Sequence, residues 1–102
     1  MNKQTESVLD EIGRERYRQV EEEGWTLNHD DKHEGGELAL ASGCYALRSA
    51  KASIHHVATG IPLSWPWARG WWKPTTDRRN LVKAGALIVA EIERLDRIED
   101  GQ

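Results

Sequence analysis

Several residue types that often define a protein class are scarce in this chain of 102 residues. It contains no phenylalanine and one cysteine, Cys44, which cannot form an intramolecular disulfide, so nothing indicates an oxidising compartment. No segment approaches the roughly 18 consecutive apolar residues of a membrane-spanning helix, and the first residues lack the apolar centre of a signal peptide. We therefore expect a cytoplasmic protein that does not contact membranes.

Positive charge is also not in excess, because 14 Lys and Arg residues stand against 17 Asp and Glu residues. This balance argues against a protein that binds duplex nucleic acid, which needs a basic face. A small anionic ligand is compatible with it if basic groups cluster locally. Hydrophobic residues make up only 38% of the chain, so we expect one small domain spanning residues 1–102 that is stabilised as a homo-oligomer.

Helical periodicity dominates the rest of the sequence. It predicts helices over about residues 5–23, 34–51 and 77–98, with Thr5 or Ser7 capping the first and residues 75–77 capping the last. We expect an all-α, three-helix bundle with a long Trp-rich loop between helices two and three, and one short helical turn near residues 54–58. The apolar stripe expected to face the core from the last helix consists of Leu81, Ala84, Gly85, Ile88, Ile92 and Leu95. Arg94 and Arg97, near its end, are expected to be solvated.

Acidic residues crowd the junction between the first two helices, where residues 21–38 contain seven carboxylates and two histidines. If the second helix runs antiparallel to its neighbours, these carboxylates approach those at the end of the third. Oxygen-rich clusters of this kind favour Mg²⁺, which supports phosphoanhydride chemistry. The candidate metal ligands are Glu23, Glu34, Glu37, Glu91 and Asp96, of which Glu37 and Glu91 are also candidate catalytic residues. The alternative is that these side chains cap helices or are solvated.

Two histidines at the same junction, His29 and His33, stand beside Asp30 and Asp31. No second His or Cys pair follows at zinc-ligand spacing, so capping is the favoured role for these four residues.

Four of the five tryptophans lie within residues 65–74, next to Arg69 and Lys73. Aromatic faces beside cations can stack on a nucleobase while the cations bind phosphate. The alternative is that the tryptophans cover the small core or bury a subunit contact. Together with polar residues on the inner helix faces, the candidate substrate-binding residues are Arg16, Gln19, Trp25, Trp65, Trp67, Trp71, Trp72, Lys73, Arg79, Asn80 and Lys83.

Motifs across nearly the whole chain resemble a known family. They include ERYRQ at residues 15–19, EGWT at 23–26, GELA at 36–39, WPW at 65–67, WKP at 72–74 and RNLVKAGAL at 79–87. The chain resembles small phage and prophage proteins labelled as dATP/dGTP diphosphohydrolase-type domains, which are similar to the all-α MazG-like nucleotide pyrophosphohydrolases. This resemblance implies a Mg²⁺-dependent oligomer that splits nucleoside triphosphates to monophosphate and pyrophosphate inside a phage-infected or prophage-bearing bacterium.

The metal motifs of that family are matched incompletely. Glu34 and Glu37 have the spacing of its Glu-x-x-Glu pair, and Glu93 and Asp96 that of its Glu-x-x-Asp pair. The two pairs are further apart than is usual, and helix phase turns Glu93 outward while favouring Glu91.

Three hypotheses follow from the sequence. The first is a Mg²⁺-dependent pyrophosphohydrolase. The second is a non-catalytic oligomeric sponge that sequesters a nucleotide immune signal, such as a cyclic dinucleotide or an ADP-ribose derivative, and so counters antiphage defence. The third is a helical protein-interaction module.

Overall fold

A computed structural model of the protein describes residues 2–25, 27–50 and 60–100. These ranges form the helices α1 (Lys3–Glu21), α2 (Leu27–Asp31), α3 (Glu37–Ala50) and α4 (Asp77–Glu99), with a 3₁₀ turn at Arg69–Trp71 and no strand. The all-α expectation is confirmed for the described residues. The short helix α2 falls in the segment expected to be a loop, and the helical turn expected near residues 54–58 lies outside the described residues.

Helix α1 begins earlier than the sequence suggested. The Asn2 side-chain oxygen accepts a hydrogen bond from the Thr5 backbone N–H at 2.7 Å, so Asn2 is the cap and the assignment of Thr5 or Ser7 was wrong. After α1, Gly24 adopts a positive φ of 75°. This turn lets the Trp25 N–H donate to the Gln19 carbonyl at 3.0 Å, which holds Trp25 against the end of α1.

Helix α3 starts at Glu37, three residues later than expected. Gly36 has a φ of 86°, which a right-handed helix cannot contain, and its carbonyl accepts the N–H of Leu40 at 2.9 Å. Glu34 therefore precedes the helix rather than lying one turn before Glu37 on the same face.

Helices α3 and α4 pack against each other antiparallel, as expected. Ser42 donates to the Ala84 carbonyl and Ser49 to the Asp77 carbonyl, each at 2.8 Å, so the chain runs in opposite directions in the two helices. Small residues permit this close approach. The buried core around the pair consists of Trp25, Leu38, Ala41, Cys44, Tyr45, Trp65, Ala84, Leu87 and Ala90.

Helix α1 packs on α4 at Gly85, where a Cβ would lie 3.0 Å from Cδ1 of Ile12. This close approach explains a glycine within a long helix. Helix α2 also packs on α4, where Arg97 pairs with Asp31 at 2.6 Å. Within the parts of the chain that the structure describes, no helix is long and apolar enough to cross a membrane.

The orientation of α4 differs from the sequence expectation. Leu81, Ile88, Ile92 and Leu95 were expected to face the core, yet each is about half exposed. The buried face of α4 instead consists of Asn80, Val82, Ala84, Ala86, Leu87, Ala90 and Arg94. Small side chains on this face allow α3 to lie close, and the larger aliphatic side chains are left outside. The expectation that Arg94 is solvated was wrong, because it is 5% exposed.

Candidate functional site

All five tryptophans lie in one cluster at the end of α1. Trp25 contacts Trp67 and Trp71, with ring centroids 5.4 and 6.0 Å apart, although more than 40 residues separate them in the chain. Trp65 contacts Trp67 at 5.4 Å and Trp72 at 4.9 Å. The Trp-rich segment therefore folds back onto Trp25 as an ordered cover.

Trp65 and Trp72 form the inner layer of this cluster. Trp65 is 9% exposed, and its Nε1 donates to the Ala68 carbonyl at 3.1 Å. Trp72 stacks on Tyr45 with centroids 4.8 Å apart. Both rings pack against other side chains of the protein. Trp65 and Trp72 therefore agree better with the alternative that the tryptophans cover the small core than with a role in stacking on a ligand.

The outer layer encloses an open aromatic pocket of about 190 Å³. Its walls are the rings of Trp25, Trp67, Trp71 and His29, with Ala68 at one edge. Burial, followed by the charge of the neighbouring His33, lowers the pKa of His29, so its ring is held neutral at pH 7. A neutral aromatic pocket of this kind accepts a flat ring.

A second, polar pocket adjoins the first, and Trp25 and Trp71 line both. Its space is about 20 Å³, the size of a bound water or one small polar group. The other lining residues are Glu15, Arg18, Gln19, Glu23, Tyr45, Lys73 and Lys83.

Glu15 is the buried anchor of the polar pocket, at 1% exposure. Arg18 binds both of its carboxylate oxygens, at 2.8 and 2.9 Å, while Arg79 binds it from the α4 side and Gln19 donates at 3.0 Å. Burial alone would raise the pKa of Glu15, but the hydrogen bonds and charges of Arg18 and Arg79 outweigh burial and lower it. Glu15 is therefore ionised at neutral pH and fixes the arginine in place.

Two lysines enter the polar pocket from the other side. The Lys83 ammonium donates to the Lys73 carbonyl at 2.6 Å and lies 5.6 Å from the centre of the Tyr45 ring. The Lys73 ammonium lies 5.5 Å from the Trp71 ring and 3.4 Å from Glu23. Burial lowers the pKa of Lys83, with Glu15 opposing that effect. Three cations thus face two carboxylates, which leaves the pocket with an excess of positive charge.

Gln19 adds a side-chain amide of which only the nitrogen is hydrogen-bonded. Its Nε2 donates to Glu15, while its buried Oε1 has no hydrogen-bond partner among the described residues. A buried acceptor without a partner is costly, so a donor supplied by a ligand or a water would stabilise this position.

Of the predicted substrate-binding residues, six line the two pockets: Gln19, Trp25, Trp67, Trp71, Lys73 and Lys83. Arg16 lies elsewhere, bound to Asp30 and Glu93. Arg79 braces Glu15 from behind the pocket. Asn80 is fully buried and accepts from the Thr75 N–H at 2.8 Å, which fixes the start of α4. These three residues have structural partners and line neither pocket.

Three of the five predicted metal ligands, Glu23, Glu37 and Glu91, lie beside basic side chains rather than beside one another. Glu91 binds Arg94 through both oxygens, at 2.7 and 3.2 Å, and Glu23 lies in the polar pocket between Arg18 and Lys73. Glu37 lies 3.6 Å from His33. Backbone N–H groups at Glu37 and Gly35, and then His33, lower the pKa of Glu37. Glu34 and Asp96 are exposed.

Across residues 2–25, 27–50 and 60–100, no group of three or more acidic, histidine or cysteine side chains is arranged to hold a metal ion. Within one chain, the described residues therefore do not bring the predicted Mg²⁺ ligands together, and they form no three-ligand site around His29 and His33. The catalytic and metal-binding roles of Glu37 and Glu91 stay predictions from the resemblance.

Sequence reasoning missed Glu15, Arg18 and Tyr45. Glu15 follows Ile12 by three residues and precedes Gln19 by four, so helical spacing already placed it on the buried face of α1. A carboxylate at such a position requires a cation, and Arg18 is one turn away. Tyr45 carried no comparable signal, because its hydroxyl accepts the N–H of Lys73 across 28 residues of sequence.

Comparisons of the chain with protein-family models, curated proteins and solved structures found no match.

Proposed function

We propose that the protein binds a small phosphorylated nucleotide and holds it without cleaving it. The observation that carries this proposal is the adjacency of an aromatic pocket and a cationic pocket that share Trp25 and Trp71. A nucleotide has the same two parts, a flat base and an anionic phosphate, joined over a short distance.

In this arrangement the base enters the aromatic pocket and stacks on Trp67 or Trp71. Stacking between a base and an aromatic side chain contributes about 1–3 kcal/mol. Trp71 is 40% exposed in the free protein, so a base that covers it also removes apolar surface from water.

The phosphate takes the cationic side of the shared wall, and because the space there is about 20 Å³, the Glu23 side chain must move aside to admit it. Lys73 and Lys83 supply ammonium groups, and Arg18 supplies a guanidinium whose orientation Glu15 fixes. Glu23 is the displaceable partner in this set, because its contact with Lys73 is long, at 3.4 Å. A bound phosphate would replace the Glu23 carboxylate and form ion pairs with Arg18 and Lys73, which Glu23 contacts in the free protein.

Binding without cleavage is favoured by the chemistry of the donor set. Phosphoanhydride hydrolysis requires carboxylates that hold a metal and orient water, whereas the carboxylates lining the polar pocket are bound to Arg18 and Lys73. The sponge hypothesis, capture of a signalling nucleotide, therefore agrees better with this site than the hydrolase hypothesis.

The proposal can be tested by titrating the protein calorimetrically with dATP, dGTP, a cyclic dinucleotide and ADP-ribose, each with and without Mg²⁺. Bound nucleotide is then released by heat and examined by chromatography. We expect at least one ligand to bind and to return intact. Release of pyrophosphate would instead support the hydrolase hypothesis, and failure of every nucleotide to bind would leave the interaction module.

Trp71→Ala tests the site with a matched control. We expect this substitution to weaken binding on the order of 10-fold or more, since one stacking surface is lost. Tyr17→Ala removes an exposed aromatic ring that lines neither pocket, so it should leave affinity unchanged. Equal affinities for the two variants would contradict the assignment of the aromatic pocket.

A further inference from the structure

Gln19 places a hydrogen-bond acceptor beside the wall that the two pockets share. Its backbone carbonyl accepts the Trp25 N–H at 3.0 Å, and Trp25 lines both pockets. Gln19 itself lines the polar pocket and is 2% exposed. Its side-chain Oε1 has no hydrogen-bond partner within the described ranges 2–25, 27–50 and 60–100. A buried carbonyl oxygen in this state favours a ligand group that brings it a donor.

The orientation of the Gln19 amide is fixed by its neighbour on α1. The Gln19 Nε2 donates to the Glu15 carboxylate at 3.0 Å. An ionised carboxylate only accepts hydrogen bonds, so the amide cannot turn its oxygen toward Glu15 without losing this bond. Arg18 and Arg79 in turn hold the carboxylate in place. The Oε1 of Gln19 is therefore a positioned acceptor.

The sugar is the part of a nucleotide that can supply the donor. A phosphate at neutral pH offers acceptor oxygens, which pair with the lysines of the polar pocket and with Arg18. The base lies in the aromatic pocket, which Gln19 does not line. The sugar joins these two groups and so passes the shared wall, and its hydroxyl groups are donors. The existing space of about 20 Å³ suits one hydroxyl once Glu23 has made room for the phosphate.

We propose that Gln19 Oε1 accepts a hydrogen bond from the ribose 2′-hydroxyl, so that the site selects ribonucleotides over deoxyribonucleotides. This selection rests on the proposed nucleotide function. The 2′-hydroxyl is the one nearest the base, since its carbon is bonded to the carbon that carries the base, and Gln19 contacts Trp25 of the aromatic pocket. This hydroxyl is also the group by which proteins distinguish RNA from DNA. The deoxynucleotides in the label of the resembling family would be the weaker ligands.

Matched nucleotides test the selection on the wild-type protein. Calorimetric titration without Mg²⁺ compares ATP with dATP and GTP with dGTP, and 3′-deoxyATP is the control that keeps the 2′-hydroxyl. We expect each deoxynucleotide to bind on the order of 10-fold more weakly than its ribonucleotide, because Gln19 Oε1 loses its donor. The affinity of 3′-deoxyATP should equal that of ATP.

Gln19→Met tests the assignment to this residue. The substitution removes the acceptor at similar side-chain length, and Glu15 keeps both of its arginines. We expect the affinity for ATP to fall to that for dATP, whose affinity should change little. A residue that only supported the fold would weaken both nucleotides equally. Gln4→Met makes the same change at an exposed position of α1 outside both pockets, and it should preserve the wild-type ratio.

The outcomes distinguish the selection from the function on which it rests. Equal binding of ribonucleotides and deoxyribonucleotides would overturn the selection and leave nucleotide binding intact. A loss of affinity with 3′-deoxyATP instead of dATP would do the same, and discrimination that persists in Gln19→Met would contradict the role of Gln19. Failure of all five nucleotides to bind would overturn the proposed function together with the selection.

Discussion

Lys83 is a cation in surroundings that favour its neutral form, because burial lowers its pKa below the ordinary value of 10.5. The folded protein then binds fewer protons at this site than the unfolded chain. The contribution of Lys83 to stability therefore rises with pH between its folded pKa and 10.5. Burial of this amine costs stability, and the proposed phosphate contact is the role that its charge would serve.

Lys83→Met separates these two effects. We expect the thermal midpoint to stay equal or to increase, while the affinity for the nucleotide decreases about 10-fold or more through loss of a phosphate contact. Lys32→Met, which removes an exposed lysine outside the two pockets, serves as the control. Wild-type affinity should also fall as the pH rises through the lowered pKa of Lys83, and this fall should be absent in Lys83→Met. Equal titration curves for both proteins would exclude Lys83 as the phosphate ligand.

Glu15 has the opposite dependence on pH. Its folded pKa lies below 4.5, so its contribution to stability is complete above that pH and is lost as the pH falls through the folded pKa. We expect Glu15→Gln to lower the free energy of unfolding at pH 7 by about 2 kcal/mol, because Arg18 and Arg79 lose their common partner.

Urea unfolding at pH 7 and at pH 3 measures this effect. The difference between wild type and Glu15→Gln should shrink at the lower pH, because the Glu15 carboxyl of the unfolded chain takes up a proton below its ordinary pKa of 4.5. Glu22→Gln, at a side chain 66% exposed to solvent, should have little effect at either pH. A difference that does not change with pH would mean that packing, and not charge, accounts for the loss.

At the scale of the elements, α1 and α2 are joined by a buried ion pair. Arg16 binds Asp30 at 2.8 Å, and the Asp30 side chain is fully buried. Burial raises the pKa of Asp30, and Arg16 opposes that rise. Removal of one partner from a buried pair leaves a charge without compensation, which typically costs about 3–5 kcal/mol.

Arg16→Met should therefore lower the free energy of unfolding by about 3 kcal/mol. Asp30→Asn in the Arg16→Met background should recover part of that loss, because the unpaired carboxylate is gone. A double-mutant cycle in urea measures the coupling. If the two substitutions were additive, Arg16 would stabilise the protein through its contact with Glu93 or through its stem instead.

Helix α4 depends on its own cap. The Thr76 hydroxyl oxygen accepts the N–H of Arg79 at 3.1 Å, and we expect Thr76→Ala to destabilise the protein by about 1 kcal/mol. Thr75→Ala is the control, because Thr75 contributes its backbone N–H to Asn80 and the substitution leaves that group in place. Thermal unfolding of the two variants gives the comparison, and a larger effect at Thr75 would assign the cap wrongly.

The elements were easier to predict from the sequence than their orientations. The periods of α1, α3 and α4 and the breaks at glycine follow from local preferences, so those helices were located to within a few residues. The face of α4 was only partly predicted: Ala84 of the expected stripe is buried, but Leu81 and Ile88 are about half exposed, and Ala86 and Ala90 lie in the core instead. Close packing against α3 determines which face of α4 is buried, and the hydrophobicity of the α4 residues alone does not predict that face.

The candidate site was likewise predictable only where it depends on local sequence. Helix phase identified Gln19 and Lys83, and composition identified the tryptophans. Sequence could not show that Trp25 closes onto Trp71 or that Arg94 neutralises Glu91, because both depend on how distant segments meet. Carboxylate spacing suggested a metal centre, whereas in the structure Glu23 and Glu91 are bound to arginine or lysine side chains, Glu37 lies beside His33, and Glu34 and Asp96 are exposed.

At the scale of the whole molecule, the homo-oligomer expected from the sequence has a thermodynamic signature. Because unfolding would separate the subunits, the thermal midpoint of the wild type should rise with protein concentration. Calorimetric scans over a wide concentration range measure this dependence, and a midpoint that does not change with concentration would show that folding is not linked to association.

The gathering of every tryptophan into one cluster also determines how the protein emits light. Because the chain has no tryptophan outside this cluster, its tryptophan fluorescence comes entirely from the five rings, of which Trp25, Trp67 and Trp71 line the aromatic pocket. A base that stacks on Trp71 should quench that emission, and energy transfer among the rings should extend the quenching to the others. The protein thus carries its own label for ligand titration.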